Sequence, residues 1–146
     1  VPVRDKALRI FYRRWQHEPL AVNLWLQWQA VCYLPGALSR VQSLLTHEAF
    51  DIKNPNKVRS EIGAFCGQNP AHFHADDGSG YKFLADKVIE LDAMNPQIAA
   101  RLLGPLTRCH KFPPANQEKM RAELQRILAS GKLSPDVFEV VIKSIN

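Results

Sequence analysis

Residues 54–106 run NPNKVRSEIGAFCGQNPAHFHADDGSGYKFLADKVIELDAMNPQIAARLLGPL. Three Asn-Pro steps punctuate the stretch, at Asn54-Pro55, Asn69-Pro70 and Asn95-Pro96. An asparagine before a proline is a helix-start signal. The amide side chain can accept from free backbone N–H groups, and proline suits the first helical position, where no amide hydrogen is needed. Asn54 therefore opens a helix that carries Val58, Ile62, Phe65 and Cys66 on its apolar arc and ends near Gly67. On that wheel Arg59 lies at the margin of the arc, and Lys57, Ser60 and Glu61 lie further round. Asn69 caps a short turn, residues 71–74. Asp76-Asp77-Gly78-Ser79-Gly80 is a turn with its glycines at left-handed positions. A helix follows over about residues 79–94, with Leu84, Val88 and Leu91 facing the core, and Asn95 opens another that ends near Cys109.

Outward from this stretch the same periodicity continues, and no segment alternates as a strand. Towards the N-terminus, residues 3–16 form a helix with Ala7, Leu8, Phe11 and Trp15 on one face. A second helix spans about 18–33, with Pro19 in its first turn and Val22, Trp25 and Leu26 in a largely buried body. The three tryptophans of these two helices point to a heavily packed pair and away from a binding surface. Leu34-Pro35-Gly36 breaks the chain before a third helix over 37–47. Towards the C-terminus, Pro113-Pro114 precedes a helix over 115–130 bearing Met120, Leu124, Ile127 and Leu128, and Gly131 stops it. Ser134-Pro135 caps the last helix, whose apolar residues are Val137, Phe138, Val141 and Ile145.

The prolines that open helices at positions 19, 55, 96 and 135 recur every 36 to 41 residues, with two helices in each interval. That spacing matches the roughly 40-residue period of HEAT and armadillo helix pairs. The fold expected is all-α: about eight helices in antiparallel pairs, stacked as a HEAT/armadillo-like superhelix with one concave surface.

Composition narrows the function. The chain has 146 residues, 46% of them apolar, enough for a real core and too many for a disordered segment. No apolar run approaches the roughly 18 residues that span a bilayer, and the first residues, VPVRDKALRIFYRRW, carry no secretory signal. The absence of an initiator Met fits a piece of a longer protein. The net charge of +5 is spread along the chain except for Arg4, Lys6, Arg9, Arg13 and Arg14, a cluster best read as a solvated helix face because no RNA-binding motif with interleaved aromatics accompanies it. Three cysteines, Cys32, Cys66 and Cys109, with no C-x-x-C, argue against a disulfide framework or a thiolate zinc site and suit a reducing cytoplasm.

Chemistry-bearing patterns are few. His72 and His74 with Asp76 and Asp77 resemble a metal cluster, but histidines two apart diverge on either a helix or a strand, so hydrogen-bonding loop residues are the better reading. The same loop fails as an EF-hand, since the twelfth position falls on Lys87 or Val88. No G-x-S-x-G supports a nucleophile. On the helix after Asn95, Gln97, Arg101, Gly104 and Arg108 fall within roughly 60° of one another, opposite Ile98, Leu102, Leu103 and Leu106. That polar stripe is either a solvated outer face or a binding face. Arg59 is either a rim ion-pair partner or a head group presented to a groove.

The segments NPNKVRSEIGAFCGQNPAHFHADDGSGY and NPQIAARLLGPL, with NQEKMRAEL beyond them, closely resemble the C-terminal domain of bacterial aminopeptidase N, a zinc metallopeptidase family. Residues 1–50 resemble it mainly in the pattern Y-x-x-W…W-x-x-Q, and departures fall at Cys66, Gln68 and residues 110–115. The resemblance implies that residues 1–146 are a single C-terminal α-helical domain of a larger multidomain aminopeptidase. It implies a non-catalytic cap that encloses the active-site chamber, in a parent enzyme that removes N-terminal residues from peptides. The family's H-E-x-x-H zinc motif is absent from this sequence. The one zinc and its glutamate base would sit in the parent's catalytic domain, with no cofactor and no catalytic residue in this chain. Carried over by motif, Arg59, Gln97 and Arg101 are the substrate-channel residues. The partners implied are the other domains of the same polypeptide and peptide substrates, with no nucleic acid and no membrane, in the cytoplasm. The competing class is a free-standing basic helical-repeat module that binds an acidic protein or RNA through the Gln97–Arg108 face. A structural subunit without a ligand is a third, and it would show an exposed apolar patch.

Overall fold

The computed structural model describes residues 2–145, which contain helices and turns and, among the described residues, no strand. The all-α expectation holds. Eleven α-helical segments are present among the described residues, more than the eight expected, because two of the long helices are interrupted. The chain divides into two compact units, with the boundary between Asn69 and Pro70.

The first unit is built around α2 (Pro19–Ala30), which packs against α1 (Pro2–Trp15), α3 (Ala37–Leu44) and the helix that follows Asn54. Trp25 is buried and its indole N–H donates to the Leu8 carbonyl at 2.9 Å, which ties α2 to α1. The end of α2 is held by side chains from elsewhere in the unit. Arg40 donates to the Leu34 carbonyl at 2.8 Å and to those of Pro35 and Cys32. Buried Asn69 donates to the Ala30 carbonyl at 2.9 Å and the Cys32 carbonyl at 3.2 Å. These bonds satisfy carbonyls that a helix end leaves without partners. Asn69 thus does something other than the cap expected of it: its amide closes α2, and its Oδ1 accepts no hydrogen bond among the described residues. Asn54 does cap as expected, its Oδ1 accepting from the N–H groups of Asn56 and Lys57 at 3.0 and 3.3 Å.

The expectation of a heavily packed tryptophan pair is corrected. Trp25 is buried, but Trp15 is 40% exposed and Trp28 47% exposed, and Ala7 is exposed as well. The apolar content of α2 extends around the helix, while only one side has a partner in this unit.

In the second unit α7 (Ser79–Asp92) packs against α6 (Pro70–Phe73), α8 (Pro96–Leu102) and α10 (Pro114–Ala129). The last helix, α11 (Pro135–Ile145), lies on α8, α9 (Gly104–Thr107) and α10. The turn before α7 uses one left-handed glycine, Gly78 at φ 75°. Gly80, expected as a second, lies within α7 instead, and its hydrogen is needed because a Cβ there would overlap the Phe73 carbonyl. Ser134 caps α11, its Oγ accepting from Val137 N–H at 3.2 Å, and buried Asp92 in turn accepts Ser134 N–H at 2.8 Å. Val137 and Val141 are buried, whereas Phe138, expected in the core, is 51% exposed.

Adding one methyl group at two glycines should separate close packing from backbone entropy. Gly80→Ala should destabilise the protein by about 3 kcal/mol or prevent folding, because the obstruction is backbone and cannot rotate away. Gly67→Ala, in open space near the end of its helix, should leave stability unchanged or raise it by up to about 1 kcal/mol. Urea unfolding of both variants checks this, and equal effects would remove the close-contact account of Gly80.

Candidate functional site

The helix after Asn54 is not uniform. α4 (Pro55–Val58) passes through a π-helical turn, Arg59–Gly63, into α5 (Ala64–Gln68). A turn closed by i→i+5 hydrogen bonds holds more residues than an α turn, so each one advances by less than 100° and the side chains are re-aimed. Arg59, the first residue of this turn, points outward. It is exposed, and its guanidinium donates to Asn56 Oδ1 at 2.6 Å. Val58, Ile62, Phe65 and Cys66 are buried as the apolar arc requires.

Glu61 is the residue the sequence misplaces. Expected on the polar side of the wheel, it is fully buried. Neither of its carboxyl oxygens has a hydrogen-bond partner among the described residues. The π-helical turn packs against α2, so the carboxyl lies in an apolar layer. Burial pushes it up to about 9, which keeps it protonated at neutral pH. No periodicity signal could have found it, because the wheel assumes regular α geometry.

Gln97 and Arg101 stand one turn apart on α8, in the other unit from Arg59. Both are exposed, and neither forms a hydrogen bond or ion pair among the described residues. The opposite side of α8 carries the buried Ile98, Ala99 and Leu102. The longer stripe expected to run on to Arg108 is corrected. The helix stops at Leu102, resumes as α9 at Gly104, and Arg108 lies past the end of α9. Pro105 explains the interruption, since a proline cannot donate to the preceding turn.

The histidine loop is built for structure. Asn116 donates to the Tyr81 hydroxyl oxygen at 2.9 Å, which leaves the Tyr81 proton for His74 Nδ1 at 2.6 Å. Burial lowers the His74 pKa, in keeping with a neutral ring that accepts this proton. Phe112 lies over the same ring at 4.4 Å between centroids. A His74 so engaged has no Nδ1 lone pair left for a metal. No group of three or more His, Cys, Asp and Glu side chains converges as a metal site among the described residues. An open cleft of about 340 Å³ borders this region, lined by Asp77, Gly78, Ser79, Lys82, Lys119, Ala122 and Glu123. Its charges balance, and Lys119 is already engaged with the Asp76 carbonyl and Glu123 with Arg126, so it favours neither sign of ligand. No helix among the described residues is long and apolar enough to cross a membrane. The cysteines are all free thiols, with Cys66 and Cys109 buried and burial holding the Cys66 thiol protonated.

Comparison with known proteins adds the context this geometry lacks. The family described as a domain of unknown function (DUF3458_C) with ARM repeats matches residues 1–146. Aminopeptidase N of Escherichia coli (strain K12) is 41% identical over 145 residues, covering 99% of this chain and 17% of that protein. Aminopeptidase N of Caulobacter vibrioides is 42% identical over 142 residues, 97% of this chain and 16% of the relative. Among solved structures, Legionella pneumophila aminopeptidase A in complex with aspartic acid matches with a TM-score of 0.92 at 37% identity, over 97% of this chain and 16% of that one. The chain therefore spans about one sixth of the length of these relatives.

Glu61 generates a pH signature. Its folded-state value of about 9 stands above the ordinary 4.5, so the unfolded chain releases a proton that the folded chain keeps. Stability is then greatest below the ordinary value and falls as pH rises towards the folded one, by up to about 1.4 kcal/mol per pH unit. Glu61→Gln should have similar stability to the parent at pH 4.5 and be clearly more stable at pH 8. A pH-independent difference in urea unfolding would show that the carboxyl ionises freely.

Proposed function

We propose that this chain, which belongs to the DUF3458_C ARM-repeat family, is the non-catalytic C-terminal cap domain of a zinc-dependent aminopeptidase N. The observation that carries the reading is the match to aminopeptidase N over 99% of this chain and only 17% of the relative. A piece that small fits a part that shapes access and leaves bond cleavage to the rest of the polypeptide. The zinc would be held outside this chain, where it would polarise the scissile carbonyl and its attacking water. The partners are then the catalytic and other domains of the same polypeptide, and peptides that pass through the chamber. A cytoplasmic location accords with three free cysteines.

Within this reading Arg59, Gln97 and Arg101 line the path of the substrate. Their exposure supports the role, and so does the lack of any partner for Gln97 and Arg101 among the described residues. A guanidinium can donate forked, charge-assisted hydrogen bonds to a peptide carboxylate or carbonyl, and an amide one turn away can donate or accept beside it. Such contacts act on residues beyond the scissile bond, so they discriminate by peptide length. Arg59 is tethered to Asn56, which orients its head without neutralising it.

Arg101→Ala in the complete enzyme should raise KM for tetrapeptides about tenfold, the worth of one charge-assisted hydrogen bond. A single-residue amide, too short to reach the side chain, should change little. Equal effects on both substrates would remove the access role. Separately, the purified 146-residue chain should retain no stoichiometric zinc and cleave no peptide. Zinc at one equivalent by elemental analysis would refute the cap reading.

A further inference from the structure

We infer that the outward face of α1 and α2 is a docking surface for a further amphipathic helix pair of the same long polypeptide, one with an apolar side and an acidic rim. The inference rests on the proposed place of this chain in a longer protein. The face itself is an observation. Leu20, Leu24 and Trp28, at intervals of four along α2, are 81%, 47% and 47% exposed. The half-buried Phe11 of α1 meets Trp28 edge-on at 5.1 Å and Trp15 at 6.4 Å, which joins the stripe on α2 to an aromatic strip on α1.

Single exposed apolar residues need no explanation, whereas a contiguous stripe of them marks an interface. Of the ten large apolar side chains exposed among the described residues, eight lie in the first unit and only Met94 and Phe138 in the second. ARM repeats stack so that each helix pair covers its neighbour, and a terminal pair needs a polar outer face to stay soluble. The end formed by α11 meets that requirement better, presenting Asp136, Glu139 and Lys143 beside Phe138. The α1–α2 end does not meet it, and the relatives are about six times as long as the matched region.

Charge selects the occupant. The rim of the face carries Arg9, Arg13 and Arg14, all exposed and none in an ion pair among the described residues. Arg14 lies over the Trp15 ring at 5.5 Å, so the rim adjoins the aromatic strip. Two copies of this face would bring like charges together, and an acidic helix pair would not.

The test makes the substitution Leu20→Cys, at the most exposed position of the face, and follows maleimide labelling located by mass spectrometry. In the 146-residue chain, the introduced thiol should label at the rate of a free one. In the polypeptide encoded by the complete gene it should label at least about 100-fold more slowly, since a stacked interface must open first. Equal rates in the two proteins would overturn the inference, as would a reading frame that encodes no further chain. Protection of the short chain that grows with its own concentration would assign the face to a second copy, also overturning it. Peptidase activity of the complete polypeptide is measured in parallel. Inactivity with the introduced thiol protected would sink the aminopeptidase reading and leave the docking surface standing. Activity with that thiol unprotected would do the reverse.

Discussion

Everything in the second unit depends on the contact between Gly80 and the Phe73 carbonyl. Only a residue without a side chain lets the end of α6 rest on the first turn of α7. That approach brings Tyr81 beside His74, and the hydrogen-bonded set of His74, Tyr81 and Asn116 then fixes α10 against α7. With α7 placed, its C-terminal Asp92 reaches Ser134 and positions the cap of α11. A single steric allowance is thus carried through a chain of buried polar contacts to the last helix. Such contacts are worth little singly but leave a costly unpaired group if one member is moved.

The first unit is held by a different device. Arg40 and Asn69 satisfy the carbonyls after α2, and the indole of Trp25 satisfies one in α1. These side chains lock α2 at the centre of the unit, and the π-helical turn is the conformation in which the next helix meets it. That turn has a consequence of each sign. It presents Arg59 to solvent and buries Glu61, whose carboxyl stays neutral because nothing nearby offsets the loss of water. Wide turns of this kind are frequent at functional sites, and here one flanks a residue assigned to the substrate path.

Much of the fold was legible in the residues. The proline-opened helices at Pro19, Pro55, Pro96 and Pro135 all begin where the sequence places them, and Asn54 and Ser134 cap as their types suggest. The apolar positions of α7, α8 and α10 are buried as the 3.6-residue period requires. Misreadings cluster where regular geometry stops. The π-helical turn displaces Glu61 from its wheel position, the break at Leu103 cuts the polar stripe short, and Trp15, Trp28 and Phe138 lie outside the core that their apolar character suggests. The candidate channel residues were visible only through motif resemblance, since nothing in their spacing distinguishes a substrate-facing arginine from a solvated one.

The sequence by itself determined the helical class, the breaks between helices and the family, because capping, proline placement and apolar period are local and survive in a linear reading. Only the tertiary structure decided which apolar side chains have a partner, which asparagine closes α2, why Gly80 must lack a side chain and why Glu61 is neutral. Those outcomes depend on what lies across the packing interface. A helical wheel records the direction in which a side chain leaves its helix, but whether a neighbouring element, water or another part of the polypeptide meets it there is set by contacts between residues far apart in the chain.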